Sequence, residues 1–250
     1  MPLLEVSGLT KSYGAIRAVQ DVSFTLDKGE ILGIIGPNGS GKTTLFNMVL
    51  GQLRPDAGRV HFAGRDITGA TPLSIAEAGI GRTFQSLQVF GSLTARENLI
   101  AAAQEAHGTR ISRLFGPTDA GRTAQAQAFI ERFRLQPVAD FKAGTLSYGQ
   151  QKLIDLAMAF VSEPGLVMLD EPAAGVTPTL VEDIRQMLAA QNTERGTTFV
   201  VIEHNMDFVM RLCHRVIVMA EGLVIAADKP AEVQNDPVVI SAYLGEEVTR

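Results

Sequence analysis

Apolar residues fall into two kinds of run along this chain. Ile31–Ile35, Leu166–Leu169 and Thr198–Ile202 are short and almost uninterrupted, the pattern of parallel strands buried on both faces. The first thirty residues instead break into strand-like pieces, Leu3–Val6 and Val22–Leu26, between Gly and Lys-Gly turns, and they predict an antiparallel β element. Arg59–Phe62 predicts a further strand with a turn at Gly64. Val216–Met219 and Leu223–Ala226, joined across Glu221-Gly222, predict a hairpin. Helical spacing follows Ile31–Ile35, where Leu45, Phe46 and Val49 share a face, and recurs in Leu180–Gln191 with Leu180, Ile184, Met187 and Leu188. From about Ser86 to Phe160 the character is helical. Alanine-rich Ala95–Gln104 and Thr123–Arg134 are separated there by the stretch His107–Gly121. The pattern thus predicts one α/β domain over residues 1–250, with an antiparallel β subdomain at its start and an inserted helical subdomain at about 86–160.

Composition narrows the class. The chain has 250 residues, 46% hydrophobic and 20% charged, enough for one well-buried domain with a lobe. It has no uncharged apolar run of about eighteen residues, and the amino terminus MPLLEVSGLTKSYG has neither the cationic start nor the apolar core of a signal segment. The expected location is therefore cytoplasmic. Cys213, the single cysteine, has no internal disulfide partner, and no Cys/His cluster has zinc-site spacing. A net charge of −5 without a long basic run argues against nucleic acid as a partner. A mean hydropathy of +0.13 fits either a large core or an exposed apolar face for a partner.

Candidate chemistry begins where Ile31–Ile35 ends. Gly36, Pro37, Asn38, Gly39, Ser40, Gly41, Lys42 and Thr43 fit GxxxxGK[ST] between a predicted strand and a predicted helix, with Thr44 next. Glycines let the backbone wrap a phosphate, and amide N–H groups at the helix start supply partial positive charge. Lys42 is expected to reach the β and γ phosphates and the Thr43 hydroxyl to bind Mg²⁺. A nucleoside triphosphate is the ligand this implies.

The apolar run Leu166–Leu169 ends in Asp170-Glu171, and strand ends beside such a loop are where open α/β sheets place ligands. Asp170 is expected to hold magnesium through its water shell, and Glu171, pointing elsewhere, to polarise an attacking water. His204 follows Thr198–Ile202 at the same sheet edge, where it is placed to hydrogen-bond the γ-phosphate. His61, His107 and His214 have no such context. Gln85, after the run Gly79–Phe84, is a candidate for orienting water or touching Mg²⁺.

Taken together, these residues resemble the ATP-binding subunit of an ABC transporter over nearly the whole chain, within the P-loop NTPase fold class. Walker A is Gly36–Thr44, the Q-loop glutamine is Gln85, the signature is LSYGQ at Leu146–Gln150, Walker B is Leu166–Glu171 and the switch histidine is His204. The resemblance implies ATP and Mg²⁺ as cofactors and Tyr13 as the ring that stacks on adenine. It implies that Ser147, Gly149 and Gln150, at a helix start, contact the γ-phosphate held by the opposite subunit of a head-to-tail pair. Gln151–Phe160 has helical spacing, with Leu153, Leu156, Ala157 and Phe160 on one side, so a helix dipole with its positive end at the signature follows independently of the resemblance. GRTFQ, LSYGQQ, DEPAAGV, IEHNMDFVM and AYLGE look most like branched-chain amino-acid importers. Urea or amide importers and lipopolysaccharide exporters share some of these phrases, and a soluble ABC protein acting on DNA or ribosomes is a more distant alternative. Implied partners are membrane permease subunits, a second ATP-binding subunit (the same chain or a homologue) and, indirectly, a periplasmic solute-binding protein. The implied place is the inner face of the cell membrane. Leu87, Val89 and Phe90 are expected in the permease-docking groove. Two residues depart from the wider family. Tyr148 stands where glycine is usual, adding bulk near the dimer seam, and Thr177 stands where most members carry aspartate after Walker B.

Overall fold

The computed structural model describes residues 1–83, 86–105 and 119–247. An antiparallel hairpin of β1 (Leu4–Tyr13) and β2 (Ile16–Leu26) is joined by β4 (Ala57–Phe62) and the short β5 (Arg65–Asp66) in the order β2-β1-β4-β5. The second sheet contains β3 (Ile31–Ile35), β6 (Ile80–Arg82), β7 (Leu166–Asp170), β8 (Thr198–Ile202), β9 (Arg215–Ala220) and β10 (Leu223–Asp228). Its order is β10-β9-β3-β8-β7-β6, parallel throughout except for the antiparallel edge strand β10.

Alternation along the central strands divides the interior into two cores. Leu32, Ile34, Leu166, Met168, Val200, Ile202, Ile217 and Met219 face the antiparallel sheet and α1 (Lys42–Val49). Ile31, Ile35, Val167, Leu169, Phe199, Val201, Val216 and Val218 face the helices on the other side. Successive side chains of a strand point to opposite faces, so a strand covered on both sides must be apolar at every position. This is why these strands read as unbroken runs.

The remaining helices are α2 (Pro72–Glu77), α3 (Ala95–Glu105), α4 (Asp119–Arg132), α5 (Tyr148–Phe160), α6 (Pro178–Arg195), α7 (Met206–Leu212), α8 (Pro230–Asn235) and α9 (Pro237–Glu247). Helices α3, α4 and α5 lie in the connection between the adjacent parallel strands β6 and β7. A file of rings, Phe129–Phe133–Phe160–Phe199, at centroid separations of 6.3, 5.4 and 5.6 Å, ties α4 through α5 to β8. Among the described residues no helix is long and apolar enough to cross a membrane.

Several boundaries differ from expectation. Strands β1 and β2 run much longer than Leu3–Val6 and Val22–Leu26, because the glycine taken as a turn sits inside a strand. Gly8 adopts φ +62° where the β1–β2 register shifts, and its N–H bonds to Ser23 Oγ at 2.8 Å. Helix α4 begins at Asp119, within the expected loop His107–Gly121, and stops before Arg134, whose φ of +54° is incompatible with a helix; residues 106–118 of that loop lie outside the described residues.

Candidate functional site

The loop after β3 is shaped by close approaches of backbone. Gly36 has φ +147° and Gly41 φ +100°; a Cβ would lie 2.0 Å from Met219 O at the first and 2.2 Å from Ala18 O at the second. Neither position accommodates a side chain. The start of β2 therefore presses directly on the beginning of α1, whose N-cap Gly41 offers no capping side chain to the first-turn N–H groups. Lys42 is 5% exposed. Its ammonium donates to Gly36 O at 2.7 Å, Pro37 O at 2.8 Å and Ser40 Oγ at 3.3 Å, so the charge lies within the curve of the loop. Ser40 is buried, Asn38 and Gly39 form the exposed crest, and Thr43 and Thr44 open the helix, the first exposed and the second half-buried. Tyr13 ends β1, opposite Ile16 across the hairpin, and its ring is 51% exposed. The strand that follows Tyr13 is β2, so β2 as well as β3 separates it from the glycine loop.

Thr43 and Asp170 meet at one cavity of about 350 Å³, which Asn47, Arg82, Thr83 and Ser86 also line. Asp170 terminates β7, and its N–H donates to Thr83 Oγ1 at 3.1 Å. Burial raises its pKa above the usual carboxylate range and Glu171 adds to the rise, while Lys152 and His204 oppose it. Glu171 turns out of the strand with φ +48°. Its N–H still bonds to Ile202 O at 2.9 Å, and its Oε1 lies 2.8 Å from Nε2 of His204. The two acids thus face different places: Asp170 the cavity shared with Thr43, Glu171 the histidine at the end of β8.

The phrase LSYGQ begins α5. Ser147 is its N-cap, accepting from Gln150 N at 3.4 Å, and the Gln150 side chain accepts from Ser147 N at 3.0 Å, a complete capping box. Gly149 lies where a Cβ would come 2.6 Å from Leu180 Cδ2 of α6. Tyr148 does not simply add bulk to an open surface: its ring lies against Gly175, with Cε1 3.1 Å from where that glycine's Cβ would be. Thr177 accepts from Leu180 N at 3.4 Å as the N-cap of α6, which accounts for a short hydroxyl side chain at this position.

The sequence profile described as "ABC transporter" matches residues 19–174, more than half of the chain and all of the glycine loop, signature phrase and acid pair. The chain belongs to the ABC transporter family. A second profile, described as "Branched-chain amino acid ATP-binding cassette transporter", matches residues 224–249. Among similar ABC proteins, the high-affinity branched-chain amino acid transport ATP-binding protein BraF of Pseudomonas aeruginosa is 37% identical, with 98% of each chain covered. LivG of Escherichia coli, of the same description, is 36% identical with the same coverage. The ADP conformation of MJ1267, an ATP-binding cassette of an ABC transporter, superposes with a TM-score of 0.87 at 35% identity, covering 98% of this chain and 99% of that one. The chain is an ATP-hydrolysing transporter subunit, and ABC subunits of this kind bind ATP and work with membrane permeases.

Of the sequence-derived ABC site residues, the structure brings Thr43 to Asp170 and Glu171 to His204, and gathers Ser147, Gly149 and Gln150 at one helix start. Gln85 lies outside the described residues. Leu87 and Val89 are half-buried, with Val89 packed on the helical core, while Phe90 is 53% exposed, so the expected docking segment is divided. Thr83, Lys152, Asp155 and Glu203 were not singled out by sequence. All four are polar and nearly buried. The only trace they leave is a polar residue directly after a β-rich run, or inside an apolar helix face.

Proposed function

We propose that this ABC subunit binds Mg²⁺-ATP at Gly36–Thr44 and hydrolyses it as half of a head-to-tail pair that drives uptake of branched-chain amino acids. The solute rests on the match of residues 224–249 to the branched-chain profile, and relatives of that description, aligning along 98% of the chain, support it. Adenine stacks on the exposed Tyr13 ring. The first-turn amides of α1 and the Lys42 ammonium receive the phosphates, the lysine exchanging loop carbonyls for a phosphate oxygen. Thr43 and Asp170, on one cavity, are the residues to hold Mg²⁺, which supplies charge neutralisation of the phosphates when bound. Glu171 accepts a proton from the attacking water, and His204 fixes its carboxylate and reaches the γ-phosphate, with Gln85 assigned to the water and the metal.

Ser147, Gly149 and Gln150 serve the γ-phosphate on the opposite subunit. The dimeric post-hydrolysis state of the cassette MJ0796, bound to ADP and Pi, is a structural relative at 26% identity and TM-score 0.80, covering 91% of this chain and 98% of that one, and it supports a paired arrangement. The permease partners sit at the inner membrane face and meet the surface around the exposed Phe90 and Phe141. Reconstitution tests the solute. Vesicles carrying this chain, its paired subunit and the neighbouring-gene permeases should raise ATP turnover when the solute-binding protein carries leucine, isoleucine or valine. Stimulation by a urea-loaded protein alone, or recovery of lipopolysaccharide-export permeases as the bound partners, overturns the solute assignment.

A further inference from the structure

Directly after β8 stands Glu203, an acid 3% exposed for which the hydrolysis scheme has no use. A buried carboxylate is costly unless its oxygens are fully bonded, and among the described residues these accept from three backbone N–H groups. Oε1 accepts from Ala173 N at 2.7 Å, and Oε2 accepts from His204 N at 3.0 Å and Asn205 N at 3.2 Å. Ala173 lies two residues beyond Glu171 on the loop leaving β7. His204 and Asn205 open the loop leaving β8. One side chain therefore holds together the two loops that carry the Glu171–His204 contact.

The same two loops share one main-chain bond, from Glu171 N to Ile202 O at 2.9 Å, made at the last register position of the sheet. Beyond that bond, Glu203 is what continues their pairing. The loop after β7 is held from its other side too, because Gly175 packs under the Tyr148 ring at the start of α5. Lys152, on that helix and 1% exposed, supplies the nearby positive charge, and Glu203, Asp155, Asp170 and Glu171 all favour its charged form against the cost of burial.

We propose that Glu203 is a positioning residue for ATP hydrolysis, whose carboxylate sets the spacing of Glu171 and His204 by accepting backbone N–H groups from both of their loops. It rests on the reading of Glu171 and His204 as the hydrolytic pair. The ionised form is required, since it accepts at both oxygens. A glutamine of equal length has one oxygen, and its amide nitrogen would face an N–H donor, so one loop is released.

The test compares E203Q, E203D, E171Q and H204A in the assembled transporter. E203Q should lower kcat about 10- to 100-fold, the scale of a misplacement on the order of 1 Å at a reacting group, and leave KM for ATP within about threefold. Adding E203Q to H204A should lower kcat no further than H204A alone, because both act on one geometry. A kcat equal to wild type in E203Q, with E171Q inactive, overturns the positioning role and leaves the hydrolytic pair standing. Normal turnover in E171Q overturns the pair and this proposal with it. A rise in KM at unchanged kcat, or fully additive losses in the double variant, also overturns it. Should E203Q fail to fold, E203D, which keeps the charge one methylene short of both loops, must show the kcat loss; wild-type kcat there refutes the proposal.

Discussion

Replacing Ser147 with alanine separates what this residue does for its own chain from what it does for the opposite one. Within the chain, Ser147 is a helix cap. The bond from Gln150 N is long at 3.4 Å, and the body of α5 is anchored independently by buried Leu153, Ile154, Leu156, Ala157 and Phe160. Loss of such a cap costs about 1 kcal/mol. For 250 residues the unfolding entropy at Tm is about 0.5 kcal/mol per kelvin, so Tm should fall by about 2 °C. A domain stable by about 5–15 kcal/mol stays folded after that loss. If Ser147 also donates to a γ-phosphate in the transition state, turnover should fall by about 10²–10³, the cost of removing one such donor. The expected result is therefore a small change in thermal unfolding beside a large change in kcat at saturating Mg²⁺-ATP, with S147T, which keeps the hydroxyl, largely restored.

In a pair of this chain with itself, mixing S147A and K42A chains rebuilds one whole site if the motifs act across the pair, and none if they act within one chain. Turnover of S147A within about threefold of wild type, or a silent S147A–K42A mixture, refutes the trans role.

Two further outcomes follow from single positions. G41A should lose about 2–4 kcal/mol, because alanine is strained at φ +100° and its Cβ would sit 2.2 Å from Ala18 O; nucleotide-free thermal unfolding and ATP binding should both weaken, and an unchanged Tm contradicts the close approach. D155N tests a pH slope. Burial raises the Asp155 pKa, with the Gln88 N–H and Lys152 opposing the rise, so the folded chain holds this proton to higher pH than the unfolded chain does. The penalty is present above the folded pKa and is lifted as pH falls through it. Denaturant titrations from about pH 8 to about pH 4 should thus show wild type gaining stability relative to D155N as pH falls; a constant difference refutes the assignment.

The parts of the fold that sequence disclosed are those governed by local pattern. Ile31–Ile35 and Thr198–Ile202 match β3 and β8 residue for residue, because each position on a doubly covered strand reports burial. The hairpin of β9 and β10 is similarly marked by Glu221-Gly222, both at positive φ. What escaped is governed by tertiary contact. β6 has three residues and exists because Ile80, Gly81 and Arg82 pair with β7. Helices α7 and α8, of seven and six residues, are too short to display a helical period, and they form where Val209 and Val233 find the core already built.

The candidate site divides along the same line. Thr43 was legible because it closes the GxxxxGK[ST] pattern, and Asp170, Glu171 and His204 because each follows an apolar run, and parallel strands in one sheet end at the same edge. Their contacts needed only that edge. Glu203 and Thr83 stand at the same edge and were not legible, because their partners are the main chain. Thr83 Oγ1 accepts from Asp170 N, and Glu203 accepts from Ala173, His204 and Asn205. Backbone N–H groups are identical in every residue but proline, so a sequence carries no mark of which ones a side chain will meet. A motif records the groups aimed at the ligand. The groups that aim them are found only when the loops are seen side by side, and here that second set is polar and more deeply buried than the first.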